Sequence, residues 1–202
     1  MIKGYYFITD SGLSKHGNLN DVKAAIKAGV GIVQYRNKAD DVKAMHEEAR
    51  ILKDICRGIK FIVNDNIDVA CSVNADGLHV GQKDIGYEIA RNILGWDKII
   101  GVTVRNIKEA IAAEKNGADY LGVGPVFKTA TKQDAGEPCG VGLIKEIRNV
   151  CRIPITAIGG ITLENCREVI EAGADAISAI SAVVTKDDIK VEIEKFQELF
   201  KR

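Results

Sequence analysis

Eight short runs of β-favouring residues are spaced along the chain, and each is followed by a stretch with helical periodicity. The runs are Tyr5–Thr9, Gly31–Tyr35, Lys60–Asn64, Gly77–Val80, Ile99–Thr103, Tyr120–Gly124, Ile155–Ile158 and Ala176–Ala179. Several are unbroken apolar runs, such as Phe61-Ile62-Val63. Strands buried on both faces read this way, because helices cover one side of a parallel sheet and a packed interior fills the other. Between them, apolar residues recur three and four apart, as in Val22/Ala25/Ile26 and Ile107/Ala110/Ile111. The last helical stretch, Asp187 to Phe200, carries Ile189, Ile193, Phe196 and Phe200 on one stripe.

Strict βα alternation, eight times over, predicts an α/β fold with a closed parallel (β/α)8 TIM barrel. An open doubly wound sheet is the rival. It announces itself by a glycine-rich dinucleotide turn after the first strand, and Asp10-Ser11-Gly12-Leu13 is not one. A weak repeat favours closure. Ala28-Gly29-Val30, Asn74-Ala75-Asp76, Gly117-Ala118-Asp119 and Gly173-Ala174-Asp175 each precede an even-numbered strand. Gly and Asn adopt the left-handed conformation that ends a helix, so each phrase reads as a helix stop feeding a strand. The chain has 202 residues and no low-complexity stretch, so residues 1–202 read as one barrel domain.

Charge narrows the partners. Lys plus Arg equals Asp plus Glu at 28 each, so no general field gathers nucleic acid or an anionic membrane. Anion binding must come from local clusters, and the expected partners are small molecules. The first ten residues lack the basic and apolar segments of a signal peptide, which predicts a cytoplasmic location. Five cysteines (56, 71, 139, 151 and 166) are scattered and form no C-x-x-C pair, so they read as buried thiols, with Cys139 the exposed one. An apolar helix face would permit a homo-oligomer, which the sequence leaves open.

Chemistry in such barrels sits where the strands end. The second strand runs into Gln34-Tyr35-Arg36-Asn37-Lys38, whose cations at alternate positions face one way if the strand continues. Together they would hold one polyanion; alone they read equally as a solvated turn. Asn64-Asp65, read alone, is a turn. With Asp84, which follows His79 and Gln82 after the fourth strand, Asp65 makes a pair of carboxylates on neighbouring strands. Such a pair suits Mg2+, which takes one or two carboxylates, keeps waters and bridges to phosphate. His79 lies inside a strand and reads as a bonded core histidine, and Asp68 as helix-start chemistry. Thr103 either serves a ligand or caps the next helix.

The sixth strand leads into the longest loop, Gly124 to Gly136, which is small, polar and basic. A loop of that length in so short a barrel points to function. Gly159-Gly160 after the seventh strand, with a helix start near Ile180-Ser181 after the eighth, matches the recurrent phosphate site of these barrels. Glycine there would let an anion approach the backbone N–H groups closely. The pattern implies two anionic groups: a metal-linked polyphosphate over strands two to four and a monophosphate at strands seven and eight.

From Tyr5 to Ser181 these residues resemble the thiamine phosphate synthase (thiamine phosphate pyrophosphorylase) family. The motifs that carry the resemblance are residues 34–38, Asn64-Asp65, His79-Val80-Gly81-Gln82-Lys83-Asp84, residues 122–132, Ala157-Ile158-Gly159-Gly160-Ile161 and Ile180-Ser181. The resemblance implies condensation of hydroxymethylpyrimidine diphosphate with hydroxyethylthiazole phosphate, giving thiamine phosphate and pyrophosphate. It places Gln34, Arg36, Lys38, Asn64, Thr103 and Lys132 on the pyrimidine diphosphate, with Arg36, Lys38 and Lys132 in catalysis. It places Mg2+ on Asp65 and Asp84. It places the thiazole phosphate on Thr129, Ala130, Thr131, Gly160, Ile180 and Ser181. Four positions depart from the common family pattern: Tyr35 for Leu, Asn37 for Glu, Asn66 for Arg and Thr103 for Ser. Three rival functions remain: a relative that tautomerises the thiazole phosphate, another phosphate-binding barrel isomerase, and a barrel that only binds its ligand. A tautomerase needs one anion site and a proton shuttle, and the set Arg36, Lys38, Asp65, Asp84 and Lys132 exceeds that need.

Overall fold

The computed structural model describes residues 2–38, 41–131 and 136–201. Its strands are β1 (Gly4–Tyr5), β2 (Phe7–Ile8), β3 (Ile32–Tyr35), β4 (Lys60–Asn64), β5 (Gly77–Val80), β6 (Ile99–Val104), β7 (Tyr120–Val123), β8 (Ile155–Ile158) and β9 (Ala176–Ser178). Pairing is parallel throughout, in the order β1-β9-β8-β7-β6-β5-β4-β3-β2. The predicted first strand is split at Tyr6, because its halves serve opposite neighbours. Gly4 and Tyr5 pair with Ala176 and Ile177, whereas Phe7 and Ile8 pair with Val33 and Gln34. Residues 4–8 are thus the seam that completes the ring, and the barrel is the predicted (β/α)8 type.

The helices are α1 (Asn18–Lys27), α2 (Val42–Ile55), α3 (Ile67–Ser72), α4 (Tyr87–Leu94), α5 (Ile107–Lys115), α6 (Gly140–Val150), α7 (Cys166–Glu171), α8 (Ile180–Val184) and α9 (Ile189–Glu198). The short α8 is an extra turn between the last strand and the last helix. Asparagine and aspartate start several of these helices, since a side-chain oxygen takes an otherwise unpaired N–H. Asn66 Oδ1 accepts Val69 N–H at 3.0 Å, so Asn66 is the cap of α3, and Asp68 sits in its first turn. Asn106 caps α5 through Glu109 N–H at 2.9 Å, which leaves Thr103 free of that task. No helix among the described residues is long and apolar enough to cross a membrane.

Strand alternation sorts the side chains into two layers. Phe7, Val33, Phe61, Val63, Leu78, Val102, Leu121 and Val123 point outward and pack beneath the helices. Tyr6, Ile8, Ile32, Ile62, Tyr120 and Ala176 point inward and plug the barrel. The same inward register carries Gln34, Asn64, His79 and Thr103 to the upper end of the interior, where the strands finish.

The Ala-Asp phrases do more than stop helices. Gly29, Asn74, Gly117 and Gly173 all have positive φ, as a helix stop requires. Each following aspartate then reaches back one strand. Asp76 Oδ2 accepts Phe61 N–H at 2.9 Å and Lys53 Nζ at 2.5 Å. Asp119 Oδ2 accepts Ile100 N–H at 2.7 Å and Arg91 at 2.5 Å. Asp175 Oδ2 accepts Ile155 N–H at 2.8 Å and is bonded by Arg148. The cation comes each time from the helix two elements earlier, so the device ties strand, helix and turn at the end of the barrel away from the predicted site.

Cys56, Cys151 and Cys166 are buried as expected, but the exposed thiol is Cys71, not Cys139. Cys71 lies on the outer face of α3, next to buried Ala70. Cys139 is half-buried, because its N–H is tied to Pro125 O at 2.8 Å and the loop end is drawn onto the barrel.

Candidate active site

Two cavities open at the end of the barrel where the strands finish. One is floored by the barrel plug and reaches the ends of β8 and β9; its wall includes Gln34, Asn64, Thr129, Thr131, Gly160 and Ser181. The other is polar and lies over β2 to β5; its wall includes Asp10, Asp65, Gln82 and Asp84. Arg36, Lys38, Thr103, Arg105 and Thr131 line both, so the cavities meet at a basic ridge.

Two of the cations on that ridge, Arg36 and Lys38, are each held by an acid. Arg36 NH1 lies 2.7 Å from Asp10 Oδ2. The Arg36 backbone is fixed as well: its N–H donates to Thr9 Oγ1 at 2.9 Å, and that hydroxyl donates to Arg36 O at 3.1 Å. Lys38 Nζ lies 2.6 Å from Asp65 Oδ2. Asp65 itself adopts a left-handed conformation with φ 60°, which is uncommon outside glycine. It is held there because its N–H donates to His79 O at 2.8 Å, while Asn66 N–H closes a tight turn onto Asn64 O at 2.7 Å. Backbone strain of this kind gathers where a side chain must be aimed.

Asp84 Oδ2 accepts Gly81 N–H at 2.7 Å. Burial pushes its carboxyl above the usual value; the Gly81 N–H opposes that, neighbouring Asp65 pushes it further up, and Lys38 pulls it down. A carboxyl whose proton affinity is raised by a neighbouring carboxylate is a site that a cation would relieve. Among the described residues no group of three or more Asp, Glu, His or Cys gathers in a metal-ligating cluster. Mg2+ takes one or two protein carboxylates and fills its other positions with water and phosphate oxygens, so a pair suffices for it.

The sequence missed part of the floor. Gln34 Nε2 donates to Tyr6 Oη at 2.9 Å, Tyr6 Oη and Tyr120 Oη are 2.7 Å apart, and His79 bonds Tyr120 Oη through Nδ1 and Thr103 Oγ1 through Nε2, both at 2.8 Å. His79 is therefore bonded, as expected, yet it also lines the first cavity. Asp10 and Arg105 were likewise not singled out. Thr156 and Ser178, also in that wall, are buried, and their hydroxyls have no bonding partner among the described residues. The signal for the floor was present: Gly101 and Gly122 sit mid-strand, where glycine marks close approach of other groups.

Of the predicted residues, Gln34, Arg36, Lys38, Asn64, Thr103, Thr129, Thr131, Gly160, Ile180 and Ser181 all face the first cavity, and Asp65 and Asp84 face the second. Ala130 is exposed and is not part of either wall; Thr129 and Thr131 turn inward on either side of it. Lys132 lies outside the described residues. Gly159 and Gly160 are also needed for a close approach by the chain itself. A Cβ on Gly159 would lie 2.6 Å from Pro125 Cα, and one on Gly160 would lie 2.5 Å from Lys128 O. These glycines admit the chain's own 125–128 segment, which is tied down by Val126 N–H to Ile158 O at 2.9 Å and Phe127 N–H to Gly159 O at 3.0 Å.

The sequence model of the thiamine monophosphate synthase family matches residues 5–183. The chain belongs to that family. It is 54% identical over 198 residues to a thiamine-phosphate synthase of Methanosarcina mazei, covering 98% of this chain and 82% of that one. It is 46% identical over 197 residues to a thiamine-phosphate synthase of Chloroflexus aurantiacus, covering 96% and 91%. Among solved structures, thiamine phosphate pyrophosphorylase from Pyrococcus furiosus superposes with a TM-score of 0.90 at 36% identity, covering 98% and 95%. The fold expected from the strand–helix alternation is thus the fold of this thiamine phosphate synthase family.

Proposed function

We propose that the chain joins hydroxymethylpyrimidine diphosphate to hydroxyethylthiazole phosphate, releasing thiamine phosphate and pyrophosphate. The observation that carries this reading is the pair of joined cavities: one polar, with cations and the Asp65/Asp84 carboxylate pair, the other reaching Thr129, Thr131, Gly160 and Ser181. A tautomerase would need neither the second anion site nor the carboxylate pair.

In this reading the diphosphate lies along the basic ridge. Arg36 and Lys38 meet its oxygens, and Lys132 joins them from the loop. The thiazole nitrogen supplies the electron pair for a new C–N bond to the pyrimidine methylene carbon. The C–O bond to the diphosphate breaks, and its electrons leave with pyrophosphate. Arg36, Lys38 and Lys132 stabilise the negative charge that gathers there. Thr129, Thr131 and the backbone at Gly160, Ile180 and Ser181 hold the thiazole phosphate, so that the nitrogen is aimed at the carbon. Asp65 and Asp84 would hold Mg2+, a hard ion that suits oxygen donors and adds positive charge beside the leaving group. No side-chain nucleophile or general base is needed. We place the reaction in the cytoplasm, with small molecules as the partners.

The test is to incubate purified protein with both substrates and Mg2+ and to follow thiamine phosphate and pyrophosphate, with a chelator control. Equal amounts of both products, lost on chelation, support the reaction and the metal. Folded protein that binds the thiazole phosphate and makes no product would point to the tautomerase or to a binding role.

A further inference from the structure

Five side chains from five segments form one unbroken hydrogen-bond chain across the floor of the first cavity: Gln34, Tyr6, Tyr120, His79 and Thr103. Room for it is built into the barrel. A Cβ on Gly101 would lie 2.0 Å from Tyr120 Cζ, and one on Gly122 would lie 2.9 Å from His79 Cε1. Neither strand accepts a larger residue at those positions while both rings lie flat across the interior.

Proton counting gives the chain a direction. Burial pushes Tyr6 and Tyr120 far above the usual phenol value, so each keeps one proton to donate. Tyr6 Oη receives a proton from Gln34 Nε2, and its remaining bonded neighbour is Tyr120 Oη. Its own proton therefore goes to Tyr120. Tyr120 Oη, having received one, gives its proton to His79 Nδ1. Nδ1 must then be bare, and the neutral ring carries its proton on Nε2, which donates to Thr103 Oγ1. With Gln34 Nε2 facing Tyr6 the opposite order would leave two donors facing each other there; it would require the amide turned over, with Oε1 towards Tyr6 and the proton on His79 Nδ1.

We infer that this chain is proton-ordered: it fixes His79 as the Nε2–H tautomer, and so presents a hydrogen-bond acceptor, Gln34 Oε1, on one wall of the cavity and a donor, the Thr103 hydroxyl, on another. The matching ligand is a heteroaromatic ring that offers an amine N–H towards Gln34 and a bare ring nitrogen towards Thr103. His79, Tyr6 and Tyr120 act as positioning residues, because they set the polarity of groups that touch the ligand. Only the ligand's identity rests on the function proposed above; the proton order belongs to the protein alone.

The tautomer is read first, on protein without substrate. The chain has three histidines, so His16→Gln and His46→Gln together leave His79 as the sole imidazole in a 15N-histidine-labelled sample. Long-range proton–nitrogen NMR at about pH 8.5, above the ordinary imidazole value of ~6.5, should show a protonated Nε2 and a bare Nδ1. A proton on Nδ1 overturns the inference. Tyr120→Phe keeps the ring in the space beside Gly101 and removes only the hydroxyl that donates to Nδ1. It should move His79 towards the Nδ1–H tautomer and raise KM for the pyrimidine diphosphate roughly 10-fold, the scale of one lost hydrogen bond, with KM for the thiazole phosphate unchanged. An unmoved tautomer with an unmoved KM would reduce the chain to packing. Wild-type protein with the expected tautomer and no synthase activity would leave the proton order standing and remove the proposed reaction instead.

Discussion

Arg36 and Asp10 meet at 2.7 Å at the mouth of the barrel, with only 16% and 10% of their side chains exposed. Asp10 is itself anchored, since its Oδ1 takes the N–H groups of Gly12 and Leu13, both at 3.2 Å. The guanidinium is thus held by a fixed carboxylate, ready for an anion before one arrives. Asp10→Asn keeps an oxygen for the turn and loses the charge. KM for the pyrimidine diphosphate should rise about 10-fold, equivalent to ~1.4 kcal/mol, with far less change in kcat. Steady-state kinetics with each substrate varied in turn would check this, and an unchanged KM would show that Arg36 needs no such support.

Asp84 gives a prediction for the metal and for pH. Its folded proton affinity is raised, first by burial and then by Asp65, against the pull of the Gly81 N–H and Lys38. A raised folded value means that folding binds this proton more tightly. The resulting stability is full below the unfolded value of 3.8 and is lost as pH rises through the folded value. At neutral pH the ionised pair therefore strains the metal-free protein. Asp84→Asn should raise Tm slightly at pH 7 without Mg2+ and should have no such effect below about pH 3.8. The same variant should need at least ~10-fold more Mg2+ for half-maximal rate, the cost of roughly one weak ligand contact. Normal activation at low Mg2+ would remove Asp84 from the metal site.

Lys132 stands next to Thr131, which lines both cavities. If its ammonium meets the departing diphosphate, it acts on charge that exists fully only as the bond breaks. Lys132→Ala should then lower kcat roughly 100-fold or more, as loss of one transition-state donor does elsewhere, with little change in either KM. Single-turnover rates would separate chemistry from release. A kcat near wild type would exclude Lys132 from the bond-breaking step.

Some of this was legible in the sequence and some was not, for definable reasons. Residues that end strands, such as Asn64 and Thr103, could be placed because alternation fixes which way they point. The floor chain could not, because Tyr6, His79 and Tyr120 are far apart in the chain and each reads as core alone. Only Gly101 and Gly122, judged as clearance rather than as breakers, would have shown that rings cross the interior there. Asp10 was read solely as part of a turn that fails to bind a dinucleotide; nothing local says that its partner lies on the next strand. The aspartates of the Ala-Asp phrases were read only as following a helix stop, because the bond each makes is to a strand about twenty residues earlier.

Those aspartates should matter for stability and not for catalysis. Asp76 shows the sign. Burial alone would raise its carboxyl, but Lys53 and the Phe61 N–H outweigh this and hold it below the ordinary value. A lowered folded value gives stability that is present above the unfolded 3.8 and is lost as pH falls through the folded value. Asp76→Asn should cost about 1–2 kcal/mol at pH 7, the scale of a charge-assisted bond at a half-exposed site, and the gap from wild type should close in strong acid. Urea unfolding at several pH values would check it. KM and kcat should stay as they were, since the site is at the other end of the barrel; a selective loss of activity would mean that this end communicates with it.

Gly159 separates packing from ligand binding. Its φ is +99°, and an added Cβ would meet Pro125 Cα and Cβ at 2.6 Å each. Those are backbone and ring atoms of a segment pinned to β8, so the clash has no flexible group to absorb it. Gly159→Ala should destabilise the fold by about 2 kcal/mol or more, combining left-handed strain with overpacking. Gly142 is the control: it lies in α6 with nothing within 4 Å of its added Cβ and no positive φ, so Gly142→Ala should be neutral or stabilise by up to ~1 kcal/mol. Chemical denaturation of the pair gives the comparison, and KM for the thiazole phosphate gives the cause. If Gly159→Ala folds as stably as wild type and only that KM rises, then the glycine serves the phosphate directly. If stability falls and KM rises with it, the phosphate site depends on the 125–128 segment being seated against β8, and the glycine acts through the backbone that it admits.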